Sequence, residues 1–115
     1  MIEPDTIREI VDTYARHGWE LRRVLLSASL KRELADEAAR LFAGVRIVDS
    51  DLDAAWFSRQ SRPDSVAWEI RRLGNLPFAL VTSVAGDAGP DELEAALSET
   101  QQRLRETSRK FAGNA

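Results

Sequence analysis

The run Asp49-Ser-Asp-Leu-Asp53 is the segment whose residue types most directly suggest chemistry. Alternating carboxylates can hold a hard cation, as in the first half of a helix-loop-helix calcium site. The rest of such a loop is missing here. Ala54 stands where the sharp turn needs Gly, and Gln60 stands where a bidentate Glu should close the shell. The reading that remains is a solvated turn leading into a strand, with Asp side chains bonding nearby backbone amides.

Pro63-Asp64 followed by Glu69-Ile-Arg71 is the second acidic pattern. It approaches the PD-(D/E)xK arrangement of metal-dependent nucleases, but Asp64 and Glu69 would point to opposite faces of one continuous strand. Arg also replaces the motif's Lys and stays protonated. Taking Asp51 or Asp53 with Glu69 puts the carboxylates on separate strands, and this is the form in which a nuclease reading survives. His17 is the only histidine, placed in the last turn of a helix where it complements the dipole. No Gly-x-Ser-x-Gly elbow offers a serine nucleophile. Gly86 and Gly89 precede a helix start, yet no Walker Lys follows. Asp87, Asp91, Glu92 and Glu94 there suit the dipole and repel an anion.

Arg22, Arg23, Arg71 and Arg72 suggest a basic patch until strand parity is applied. Arg22 shares a face with Glu20, and Arg71 shares one with Glu69. Were those faces the same, they would form a ladder of mixed sign. Such a surface lacks the exposed aromatics with which a sheet stacks on RNA bases.

The firmest hint is Trp56-Phe57. Neighbouring strand residues point to opposite faces, so two large apolar rings demand cover on both sides of the sheet. One face would carry Trp19, Leu21, Leu25, Trp68, Ile70, Phe78, Leu80 and Val84. The other would carry Val24, Leu26, Ala67, Ala79, Val81 and one ring of the pair. A helix of the same chain, a second chain or a small ligand could cover that second face.

The elements positioning these residues follow from periodicity. Ile7, Ile10, Val11 and Tyr14 stripe a helix over 5–17, with Thr6 and Glu9 as a capping box and Gly18 beyond its end. A strand covers 19–26. A helix covers about 29–43, with Ser29 as N-cap and Gly44 as stop. Val45 to Val48 reads as a short strand or an extended connection. Strands near 54–59, 65–73 and 77–84 form a meander, with a turn at 60–64 and Gly74-Asn75 as hairpin signal. Pro90 opens a long last helix striped by Leu93, Leu97, Thr100, Leu104, Thr107 and Phe111. The expected architecture is a single α+β domain over 1–115. It runs helix, strand, helix, three-stranded antiparallel meander and long C-terminal helix, with a four-stranded, mainly antiparallel sheet. The first strand lies beside the second, with the helix between them forming a parallel crossover, or adds beside the fourth.

Composition narrows the function classes. The 115 residues are 30% charged and 43% hydrophobic, with net charge −3 and no cysteine. No disulfide framework, thiolate metal site or cysteine nucleophile is available. A pI near 5.2 argues against a nucleic-acid partner. Fourteen Arg against two Lys is the bias of a GC-rich bacterial genome. No apolar run approaches a membrane span, and the first residues lack the apolar core of a secretory signal, so a cytoplasmic protein is expected. The resulting expectation is a non-catalytic interaction module without cofactor or metal, self-associating as a homodimer or binding one protein partner. Trp56 and Phe57 would be its apolar anchor, and Arg59, Glu69 and Arg71 its rim. The competing classes are a small-ligand binder or enzyme whose aromatic-walled pocket uses Arg71 or Arg59 to hold an anion, and a metal-dependent nuclease using Asp51, Asp53 and Glu69.

Overall fold

The computed structural model describes residues 2–74 and 78–113, with backbone alone for 110–113. Helix α1 (Pro4–Arg16) starts on Pro4, whose fixed φ suits a first turn. Glu3 is its N-cap, so the expected Thr6–Glu9 box lies inside the helix. Ile7 and Ile10 face the core, and Gly18 leaves the helix at φ +84°, as its position suggested. Strand β1 (Glu20–Leu26) follows.

The expected helix over 29–43 is two short helices, α2 (Ala28–Leu34) and α3 (Glu37–Leu41). The break falls at Ala35, which has φ +46°. That conformation is strained for a residue with a Cβ. The cap is Ser27 rather than Ser29: its hydroxyl accepts the Leu30 N–H at 3.2 Å.

Residues 46–49 form a genuine strand, β2 (Arg46–Asp49), paired parallel to β1. β3 (Ala54–Arg62), β4 (Ser65–Arg72) and β5 (Ala79–Ala85) make the expected antiparallel meander. β3 runs longer than expected, and its turn tightens to Pro63-Asp64. The Gly74-Asn75 hairpin signal falls partly on residues outside those described. The sheet therefore has five strands in the order β2-β1-β3-β4-β5 and is mixed, where four were expected. β1 does lie beside β3, but antiparallel; the parallel crossover through α2 and α3 leads to β2 on its other side.

The fold thus keeps its α+β class with helices on both faces. α1, α2 and α3 cover Val24, Leu26, Ala55 and Phe57. α4 (Pro90–Gly113) covers Leu25, Ala54, Trp56, Trp68, Ile70 and Val84 from the other side. Trp19 and Leu21 lie on the α1 side, away from Leu25. The register of β1 on β3 slips between Leu21 and Arg23, and this bulge at Arg22 reverses the alternation. On α4 the apolar stripe holds through Leu93, Leu97, Thr100 and Leu104, but Thr107 is exposed. A spacing of alternate fours and threes drifts off a straight helix's 3.6-residue turn. Phe111 carries no described side chain.

Trp56 is 0% exposed and Phe57 1%, each under helices of its own chain. Alanine at either position is expected to cost about 3–5 kcal/mol in urea unfolding. Ala35→Gly should instead stabilise by about 1 kcal/mol, because glycine enters this backbone region without a Cβ penalty.

Candidate functional site

Trp56 and Phe57 cannot serve as an exposed anchor, since both rings are inside. Trp56 meets Trp68 edge-on, with centroids 6.3 Å apart, and its indole N–H donates to Gln101 at 2.9 Å. Phe57 stacks on Tyr14 at 4.0 Å. Their role is to bind the two helical layers to the sheet.

The three expected rim residues each take a partner of their own within the chain. Arg59, near the end of β3, donates to the His17 carbonyl at 2.9 Å and lies over the Trp19 ring at 4.7 Å. Glu69 and Arg71 stand on the α1 side of β4, opposite Phe57 and Ala55. The Tyr14 hydroxyl donates to Glu69, and the Arg71 guanidinium donates to the Arg72 carbonyl. Glu20 and Arg22 pair at 3.2 Å beside a cleft on the α4 side, so the mixed ladder expected from parity does not form.

Each nuclease-candidate carboxylate is engaged elsewhere. Asp51 takes Arg105 at 2.8 Å, and Asp53 accepts the Ser27 N–H at 2.7 Å and its hydroxyl at 3.2 Å. Asp49, at the start of the run, holds Lys31 at 2.9 Å. Thus Asp51 secures α4, Asp53 positions the α2 cap, and Glu69 lies mid-sheet under α1. Among the described residues, no group of three His, Asp or Glu side chains could hold a metal ion. His17 closes the α1 terminus, its ring nitrogen Nδ1 bonded to the Thr13 carbonyl at 2.8 Å.

Electrostatics mark two points along α4. Arg105 holds the Asp51 carboxyl below its ordinary range, and Arg23 does the same to Glu94 through a 2.6 Å contact. Both pairs are solvent-accessible, so each is worth at most about 1 kcal/mol. On the other face, burial pushes the Tyr14 hydroxyl well above its usual range, and the hydrogen bond to Glu69 and that carboxylate's charge add to the shift.

Three surfaces have the geometry to receive something. The first is the outer half of the sheet on the α1 side, where no helix follows α1 across β4 and β5. Ala79, Val81, Ser83 and Ala85 are exposed there, Val81 at 51%. The second is a cleft of about 330 Å³ on the α4 side, which brings together Ser58, Arg59 and Trp68. A further hollow of about 410 Å³ lies between α1 and Arg71, with Thr6, Thr13 and Tyr14. Ser58 and the β5 edge were missed as functional features. The uncharged run 79–85 was visible in the sequence, but its place at the sheet edge was not.

The chain matches no known family model, and neither a curated protein nor a solved structure matches it.

Tyr14 is the only tyrosine, so absorbance at 295 nm reads it alone. A hydroxyl raised on folding adds stability that is complete below its unfolded value near 10 and is lost as pH rises above it. Tyrosinate should therefore appear only together with alkaline unfolding. In Glu69→Gln the titration should move back toward the ordinary value.

Proposed function

We propose that this protein is a non-catalytic interaction module that acts as a homodimer, and that it pairs through β5. The observation carrying this reading is the character of that edge. β5 reads Ala-Leu-Val-Thr-Ser-Val-Ala, seven residues without charge, proline or bulge. The opposite edge, β2, has four residues and is bounded by Arg46 and Asp49. Proteins usually blunt an exposed edge with charges or shortness, as β2 does, because unpaired N–H and C=O groups recruit another strand.

The hydrogen-bond phase of β5 supports self-pairing. Arg72 N–H donates to the Phe78 carbonyl, and Gly86 N–H donates to that of Asp64, so the even-numbered residues between them bond to β4. Ala79, Val81 and Ser83 then turn their backbone groups to the open edge. An antiparallel two-fold pairing centred on Thr82 sets Val81 opposite Ser83 of the second copy and Thr82 opposite its equivalent. No like charges meet, and Thr–Thr and β-branched cross-strand contacts are favourable. The contact is isologous, the commonest form of dimer. A cytoplasmic setting belongs to this reading; a chain without cysteine needs no oxidising compartment to fold.

Light scattering of the native chain at about 100 μM should give a dimer mass, in the range of modest interfaces. Val81→Lys, which places a charge on the edge, should give a monomer with unchanged circular dichroism. A monomeric native chain would overturn the proposal.

A further inference from the structure

The hollow of about 410 Å³ beside α1 is built on one face of the sheet, within a single copy of the chain. Helix α1 contributes Thr6, Glu9, Ile10, Thr13 and Tyr14, and β4 contributes Arg71, which stands on the α1 side opposite Ala55. Residues three, four and seven apart share one stripe of a helix. α1 therefore packs through Ile7 and Ile10 while Thr6, Glu9 and Thr13 line the hollow over the uncovered half of β4. Its volume falls in the range of small-ligand sites, about 300–1,000 Å³.

Two opposite charges border this hollow without meeting. Arg71 is half-buried, and its Nη1 donates to the Arg72 carbonyl. Among the described residues its Nε and Nη2 make no hydrogen bond, so the side edge of the guanidinium is open. Among the same residues the Glu9 carboxylate has neither an ion pair nor a hydrogen bond, so it lies beyond ion-pair distance of Arg71. The Thr6 hydroxyl is also without a partner there, and that of Thr13 accepts from Arg16 at 3.1 Å with its own proton left to donate. Glu69, two residues from Arg71 on the same face of β4, is held by the Tyr14 hydroxyl and adds a second negative charge nearby. A plain anion would meet carboxylates beside the guanidinium, and a plain cation would meet the guanidinium. A molecule carrying both charges pairs with both.

We propose that this hollow binds a free amino acid as its zwitterion. The carboxylate takes the Nε–Nη2 edge of Arg71, whose two parallel donors match its geometry. The ammonium faces Glu9 and the threonine hydroxyls. An apolar side chain lies against Ile10 and the Tyr14 ring. Each charge on the ligand then finds its opposite, which offsets the loss of hydration.

The probe is L-leucine, titrated into the full chain and followed by amide chemical shifts and calorimetry. Saturable binding with a dissociation constant below about 1 mM is expected, with shifts centred on Thr6, Thr13, Tyr14 and Arg71. N-acetyl-L-leucine lacks the ammonium and L-leucinamide lacks the carboxylate, and each should bind about tenfold more weakly. Arg71→Gln should weaken leucine by a similar factor and leave leucinamide unchanged. Glu9→Gln, on an exposed position of α1 that the fold does not need, should weaken leucine and leave N-acetyl-L-leucine unchanged. Arg71→Lys, which keeps the charge without the paired donors, should fall between Arg71→Gln and the native chain. No saturation by about 10 mM, shifts centred elsewhere, or either blocked form binding as tightly as leucine would overturn the proposal.

Discussion

Two bulky rings on consecutive residues of the central strand cannot share a face, and the rest of the architecture answers that constraint. Trp56 and Phe57 lie in a run of β3, Ala54 to Ser58, that is buried throughout. A strand buried on both sides must lie between layers. α4 supplies one cover, with Leu97 and Leu104 over Trp56 and Ile70. α1, α2 and α3 supply the other, with Ile7, Ile10 and Leu34 in the cluster around Phe57. The alanines flanking the rings in β3 and β4 leave room for them. β3 takes the centre of the sheet, and β1 beside it is buried on both faces only over Val24 to Leu26.

Helix positions, the meander and the need for two covers were legible because each rests on a repeat of several residues. What escaped rests on single residues. One extra residue at Arg22 shifts Trp19 and Leu21 to the other face, and no alternation pattern announces a bulge beforehand. Ala35 breaks a helix without Gly or Pro; the break lies between the cap at Ser27, tied to Asp53, and the separate turn of α3 over α1. β2 is too short for its own pattern and exists because β1 offers it a parallel edge. The same limit applied to the candidate site. Type and spacing singled out Arg59, Glu69 and Arg71, but each is held by a different partner: Arg59 by Trp19 and the His17 carbonyl, Glu69 by Tyr14, and Arg71 by the Arg72 carbonyl. Ser58 drew no notice because a strand serine is unremarkable until it proves nearly buried with no hydrogen bond to its hydroxyl among the described residues.

The two helical layers are not equal in extent. α4 pairs with Arg23 on β1 through Glu94 in its first turns and with the β2–β3 loop through Arg105 and Asp51 further along, so two points of the helix are tied by charge. The α1 layer stops at Tyr14. There the hydroxyl's bond to Glu69 turns what would be an exposed carboxylate on β4 into the boundary of the core. Beyond it, Arg71, Ala79, Val81 and Ser83 face outward. Burial, more than the neighbouring charge, keeps the Tyr14 hydroxyl protonated there.

The unequal layers also explain why the two edges of one sheet are treated differently. β2 is held beneath α2 by Lys31 reaching Asp49, and its charged ends discourage further pairing. β5 rests on α4 alone. Its inward residues, Leu80, Thr82 and Val84, need only that helix, while its outward residues are small or β-branched. Replacing Val81 by a charged residue would sacrifice no internal contact with α4, so packing within the chain does not require an apolar side chain there. The absence of charge along β5 is therefore not accounted for by the core, and the second strand proposed at that edge would supply the physical reason.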